Sequence, residues 1–300
     1  MGVKQLFPFV GQAMRKGYIC EFEGKNLGVD ISCLLYKALY YEDYMDVIQS
    51  YVKLLKDNKN FVYMVFDGQP PETKKQECQD REDRRKKIME KVAALRKEAH
   101  GNPDILSEAQ RLERSCLTIT PEVLKNVKKY LEDQPFVRIV QSPGESDAQL
   151  TYLSLNGMVD VVVTEDSDLI VYGCQKIVYK LSPAGSCSVY DRKLLNVPYD
   201  FAVFRWMCIL AGCDYMKGGL KGMGLVKSKK FFLSSLSPRG PYDERRLRCV
   251  LRGLPKVDPK FIEDFVDAER TYLHQQILDP VDGRVKPLYP VTPKATQPQE

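Results

Sequence analysis

The stretch VDVVVTEDSDLIVYG, residues 159–173, constrains the fold of this chain more than any other. Val159–Val163 is a β-branched run broken only by Asp160, the pattern of a buried strand. It stops at once in Thr164-Glu165-Asp166-Ser167-Asp168. In open α/β sheets, ligands bind beyond the carboxyl ends of the strands. In an extended segment Asp166 and Asp168 point to one side. Two carboxylates held together repel unless a proton or a cation lies between them. An isolated pair of this kind is more often a solvated turn than a site, so the other strands decide.

Two of them end the same way. Asn26–Asp30 is a short strand closing in Asp30, and Phe61–Phe66 is an apolar strand closing in Asp67-Gly68. A third strand, Phe136–Val140, leads into Ser142-Pro143-Gly144-Glu145-Ser146-Asp147, with both acids in the first turn of a helix that runs to about Asn156. Acids there also favour the helix dipole, so each one alone has a structural explanation. The apolar helix Asp200–Leu210 closes in Asp214.

Between and around these elements the pattern predicts a helix at Leu6–Met14, an edge strand at Tyr18–Phe22 and a helix over Cys33–Lys56. Strands are expected at Ile177–Lys180 and Cys187–Tyr190, and helices at 121–133, 243–252 and 259–278. The alternation of strand and helix argues for a mostly parallel sheet with helices on both faces. Glu72–Arg114 reads as two charge-dense helices broken at Gly101-Asn102-Pro103, an excursion from the body of the domain or a plain solvated hairpin. Its first part, residues 72–99, carries ten Lys/Arg and seven Asp/Glu. The tail, 279–300, is Pro-rich and reads as irregular.

Composition narrows the chemistry. The chain has two histidines, His100 and His274, neither near an acid cluster, which argues against a His-based triad or a His-rich metal site. Nine cysteines, none spaced as CxxC, fit reduced thiols. No 18-residue apolar run or signal-peptide order is present, so the chain reads as soluble and intracellular. The net charge of +5 permits a polyanionic partner.

Seven acids thus stand at the ends of apolar elements: Asp30, Asp67, Glu145, Asp147, Asp166, Asp168 and Asp214. In a parallel sheet such ends share one edge. Oxygen-preferring divalent cations, Mg²⁺ or Mn²⁺, would relieve the repulsion, and a pair of them serves in-line phosphoryl displacement. The basic excursion, and the lysine-rich stretch Lys217–Lys230, could hold a nucleic-acid backbone. Within that stretch Gly222-Met223-Gly224 lies between Lys221 and Lys227, either a phosphate-gripping turn or a tight turn between helices.

The segments MGVKQLFPFV, VDISCLLYK, VFDGQPPETKK, SPGESDAQLTYL, VVTEDSDLIVYG and LAGCDYMKGGLKGMGLVKS, in this order, resemble the eukaryotic 5′-nuclease superfamily of flap endonucleases and exonuclease I. Asp147, where the other branch has Glu, makes the likeness nearer to the exonuclease I nuclease domain. The resemblance implies a PIN-like α/β core over 1–214 with a helical arch at 72–116, a helical DNA-binding region with a helix-two-turn-helix over 215–278, and the tail. It implies hydrolysis of DNA 5′ to 3′ at duplex ends, nicks or gaps, with some flap cleavage. Flap cleavage proper, RNA substrates and a non-catalytic scaffold are the alternatives.

By the same resemblance the seven acids hold two Mg²⁺ ions, with Mn²⁺ as a substitute. Asp147, Asp166 and Asp168 would hold one; Asp30, Asp67 and Glu145 would hold or orient the other and its water; Asp214 would act through water or from behind the ligands. Lys74 and Arg81 would contact the scissile phosphate, their spacing of seven placing them on one helical face. Tyr36 would stack on the nucleotide beside the cut, Gly2 would lie buried near the site, and the 222–224 turn would grip duplex with a monovalent cation. The expected protein is a nuclear monomer with DNA as its partner and no membrane association. Two departures stand out. The segment from Tyr36 to the second strand is shorter than in exonuclease I, and no clamp-binding motif or long tail follows, as in a catalytic fragment or a minimal member.

Overall fold

The computed structural model describes residues 2–41, 43–197, 200–216, 218–255 and 257–290. In chain order the elements are α1 (Leu6–Phe9), β1 (Met14–Tyr18), β2 (Asn26–Asp30), α2 (Ile31–Ala38), α3 (Tyr44–Asp57) and β3 (Phe61–Phe66). Then come α4 (Lys75–Glu98), α5 (Pro103–Arg114), α6 (Pro121–Glu132), β4 (Val137–Gln141), α7 (Ser146–Leu155), β5 (Val161–Val163) and α8 (Asp168–Tyr172). The rest are β6 (Lys176–Tyr179), β7 (Ser186–Asp191), α9 (Phe201–Ala211), α10 (Leu225–Ser235), α11 (Glu244–Leu251), α12 (Pro259–His274), β8 (Gln276–Leu278) and β9 (Val285–Pro287).

Seven strands form one sheet in the order β1-β7-β6-β5-β2-β3-β4. From β6 to β4 every pairing is parallel, while β7 and β1 add an antiparallel flank. The inner parallel strands are buried on both faces, as Val161–Val163 of β5 shows, while β4 at the sheet edge exposes Arg138 and Gln141. In β5, Val161 and Val163 join the core beneath α2, α3 and α6, while Val162 joins the core on the opposite face. That second core is built around Trp206 of α9, Tyr172 of α8, and Phe265 and Tyr272 of α12. The sheet therefore lies between two helical layers, with five parallel strands (β2, β3, β4, β5 and β6) delivering their carboxyl ends to one edge.

Several boundaries differ from the sequence expectation. The edge strand is Met14–Tyr18, earlier than expected, and Ile19–Phe22 is a 3₁₀ turn. It shows no apolar alternation because Gly17 alone of its residues is buried, leaving pairing with β7 to define it. The helix expected to run to Met14 ends at Phe9, and a 3₁₀ turn at Gly11–Ala13 leads into β1. The long helix over 33–56 is two, because Asp43 starts a new one by accepting hydrogen bonds from Met45 N at 2.9 Å and Asp46 N at 3.3 Å. Asp160 stands before β5 and clamps the start of β2, accepting from Asn26 N at 2.9 Å. The last helix stops at His274 and the chain turns extended into a β8–β9 hairpin, so the tail is not irregular through 287. Gln149 fixes that hairpin through both of its amide atoms on Leu278, at 2.7 and 2.8 Å, a tertiary contact that overrides local preference. Residues 291–300 lie outside the described residues.

The charged excursion is a pair of helices, α4 and α5, packed on each other. Along α4 Val92 alone is buried, so this helix is held by its partner and by its ends.

Candidate active site

The sheet edge gathers the acids as expected. Asp30 ends β2, Asp67 follows β3, Glu145 and Asp147 follow β4, and Asp166 and Asp168 follow β5. Asp214 reaches the same place from the turn after α9: its Oδ1 accepts from Gly2 N at 3.3 Å. Asp30, Glu145, Asp147, Asp168 and Asp214 are buried, Asp166 is half-buried and Asp67 is exposed. Helices α2, α7 and α8 all begin at this edge, so their positive ends face the carboxylates and offset part of their repulsion. Asp166 and Asp168 do not share an extended segment. The chain turns between them, Asp168 opens α8, and Asp166 Oδ1 accepts from Asp168 N at 3.0 Å.

Each acid is held by named donors. Asp30 accepts from Thr164 Oγ1 at 2.9 Å, from Cys33 Sγ at 2.8 Å and from Cys33 N at 3.3 Å, the last as the cap of α2. Asp67 accepts from Ser146 N at 2.8 Å and Ser32 Oγ at 2.6 Å, bridging α7 to α2. Charge nevertheless remains in excess. Burial, then neighbouring Asp67, pushes the Asp30 carboxyl up to about 6. Burial pushes Asp147 well above the usual range, with Asp166, Glu145 and Asp30 adding to it and Lys74 opposing. Asp168 is raised in the same way, by burial and then by Asp166 and Asp214.

Two cations stand among these acids. Lys74, buried at the start of α4, contacts Glu145 Oε1 and lies 3.4 Å from Asp214 Oδ2. Arg81 donates from Nη2 to the same Asp214 oxygen at 2.7 Å and from Nε to Glu77 at 2.9 Å. Lys74 precedes α4 rather than lying within it, yet the spacing of seven does bring both cations to one carboxylate. Burial works against the Lys74 ammonium, but Glu145, Asp147 and Asp214 outweigh it and hold its pKa above the ordinary lysine value. No three His, Cys, Asp or Glu side chains among the described residues are arranged to hold a metal ion as they stand. The donor chemistry still fits a hard cation: all donors are oxygens, and Asp168 Oδ1 is buried without any hydrogen-bond partner.

Gly2 is half-buried against the cluster in the left-handed region, φ +81°. A Cβ there would lie 2.5 Å from both Asp168 Oδ1 and Ser167 Oγ. Gly2→Ala is therefore expected to displace Asp168 and to lower stability by about 1–3 kcal/mol, read as a lower melting temperature together with reduced cleavage. An unchanged melting temperature and rate would contradict the tight packing.

The other expected residues divide. Tyr36, on α2 and half exposed, lines a cleft of about 690 Å³ that ends at Cys33 and Asp166, and also a second cleft walled by Arg81, Arg84 and Arg114. Lys221, Gly222, Met223, Gly224 and Lys227 sit at the start of α10, and no hydrogen bond or ion pair joins them to the acids among the described residues. All but Met223 are exposed there, and Lys217 lies outside the described residues. All nine cysteines are free thiols, with Cys174, Cys187, Cys208 and Cys213 buried and Cys33 at the acid edge. No helix among the described residues is long and apolar enough to cross a membrane. Sequence reasoning missed Tyr40, beside Tyr36 in both clefts, and Tyr215 and Gln275, which hold Glu145. Tyr215 adjoins Asp214 and could have been noticed; Gln275 carries no local signal.

Comparison with known proteins places two models on the chain: the XPG N-terminal domain over residues 1–88 and the XPG I-region over residues 136–214. Exonuclease 1 of Drosophila melanogaster is 30% identical over 314 residues, covering 96% of this chain. The chain spans 41% of that relative's length. Among solved structures, the catalytic core of Rad2 in complex with DNA substrate superposes with a TM-score of 0.60 at 21% identity, over 93% of this chain and 82% of that one. The Holliday junction-resolving enzyme GEN1 in complex with product DNA and Mg²⁺ gives a TM-score of 0.61 at 15% identity, over 93% and 65%.

Proposed function

Because the chain belongs to the XPG family, we propose that it is a Mg²⁺-dependent, structure-specific DNA nuclease acting 5′ to 3′ at duplex ends, nicks or gaps, with some flap cleavage. The observation that carries the proposal is the meeting of seven carboxylates with Lys74 and Arg81 at one sheet edge. The Mg²⁺ in the similar GEN1 structure and the name of the Drosophila relative support the cofactor and the exonuclease reading.

In this reading Asp147, Asp166 and Asp168 would hold one cation and Asp30, Asp67 and Glu145 the other, with Asp214 linking both to Gly2, Lys74 and Arg81. Bound divalent cations would activate water and stabilise charge on the attacked phosphate. The chain's own residues do the rest. Lys74 and Arg81 exchange their carboxylate partners for the phosphate and stabilise its transition-state charge. Tyr36 offers a ring face for the nucleotide next to the cut. Residues 1–214 form the catalytic unit, with α4 and α5 as the arch over the site, and 215–278 is the DNA-binding region. At the start of α10 the turn 222–224 offers backbone N–H groups and a helix N-terminus to a duplex phosphate, with room for a monovalent cation. The protein works as a monomer on DNA, and a nuclear location follows from the same reading.

Products from a recessed 5′ end and from a 5′ flap test the substrate assignment. Short 5′ products from the recessed end, released faster than flap products, are expected. Flap cutting with an inert recessed end would make the protein a flap endonuclease. Replacing Lys221 and Lys227 together by Ala should weaken duplex binding and lower the slope of log K against log salt by about 2, one unit per phosphate contact. An unchanged slope would remove this turn from the DNA interface.

A further inference from the structure

Glu145 occupies the cap position of α7, yet its side chain makes no cap bond to its own helix. It is held instead by Gln275, which lies 130 residues later in the link between α12 and β8. Gln275 is buried, and its amide grips Glu145 twice. Oε1 accepts from Glu145 N at 3.0 Å, and Nε2 donates to Glu145 Oε2 at 3.0 Å. The backbone N–H can only donate, so it fixes which end of the amide is oxygen. Nε2 also donates to Tyr172 OH at 2.6 Å, and Tyr215 OH donates to Glu145 Oε2 at 2.6 Å. Glu145 Oε2 is thereby committed to protein donors. Oε1 is left for a cation and is occupied by Lys74. Gly144 makes this possible, since a Cβ there would come within 2.9 Å of Gln275 Oε1.

We propose that Gln275 is a positioning residue, aided by Tyr215, that fixes Glu145 so that Oε1 faces a divalent cation. This rests on the nuclease reading above. It also makes the link between α12 and β8 part of the active-site frame, through the contacts of Gln275 itself with Glu145.

The test is Mn²⁺ binding to the full DNA-free chain, read by electron paramagnetic resonance of free Mn²⁺, with cleavage measured against Mg²⁺ concentration. Gln275→Met keeps the size and loses the amide. It should weaken Mn²⁺ binding at least about tenfold, the usual cost of losing a ligand's outer partner. Cleavage should need more Mg²⁺ and recover most of its rate at saturation. Gln149→Met removes a buried amide of α7 that holds the same hairpin at Leu278 and makes no hydrogen bond to Glu145. It should lower thermal stability but leave Mn²⁺ binding within about twofold, the result a purely structural effect would not give. Tyr215→Phe should shift binding in the same direction by less. Its effect should be smaller still in the Gln275→Met background, because both donors serve one oxygen. Wild-type binding by Gln275→Met, or an equal loss in Gln149→Met, would overturn the inference while leaving the nuclease reading intact. If Gln275→Met does not fold, an unshifted Tyr215→Phe overturns it. A wild-type chain that takes up no Mn²⁺ and cuts nothing would overturn the nuclease reading and this inference with it.

Discussion

Asp168→Ala should abolish cleavage, by more than about 10³-fold, beyond the loss of a single transition-state donor. Asp168 is the most deeply buried of the seven acids, at 1% exposure, and Oδ1 has no hydrogen-bond partner. A carboxylate in that state destabilises the cation-free fold, since burial and neighbouring Asp166 and Asp214 all oppose its ionisation. Removing it should therefore leave the melting temperature unchanged or raised in EDTA, while reducing the gain that Mn²⁺ gives the wild type. DNA affinity in EDTA should stay within about twofold. Full activity, or loss of the fold, would contradict this account of the residue.

Lys74→Ala should separate two roles of one side chain. Cleavage should fall by about 10²–10³-fold at saturating Mg²⁺, because a cation facing the transition-state charge is gone. In the DNA-free protein the opposite is expected of metal binding. Lys74 now neutralises Glu145 and Asp214, and the variant leaves those carboxylates to a metal ion. Mn²⁺ should bind more tightly than to the wild type, and its stabilising effect on the melting temperature should grow. Without metal the variant should be less stable, since removing one partner of a buried ion pair leaves the other charge uncompensated. Equal Mn²⁺ affinity in both proteins would show that the ammonium does not compete for the site.

Much of the site was legible because its residues are punctuated by local chemistry. β2 and β3 are buried on both faces, so each reads as an apolar run, and the acid that ends each run is conspicuous. Lys74 and Arg81 were named through the family resemblance, and in the structure both reach Asp214 Oδ2. What the sequence hides is set by tertiary pairing. β1 is a polar strand defined by its ladder with β7, and β8 is defined by Gln149 and by β9. Gln275 is invisible for a related reason. Its importance lies in an amide facing Glu145 across 130 residues, and nothing in the neighbouring sequence announces it. The turn between Asp166 and Asp168 was misread as extended because the period-two rule ceases once α8 begins.

The central claim, a cation-dependent 5′ nuclease, is tested most directly by one duplex with a recessed 5′ end, labelled at the 5′ or the 3′ terminus and incubated with Mg²⁺ or EDTA. The expected result is release of short 5′-labelled products and progressive shortening of the 3′-labelled strand with Mg²⁺, and neither in EDTA. Tight binding of this duplex and of a flap, with no cleavage of either strand in Mg²⁺ or Mn²⁺, would contradict it.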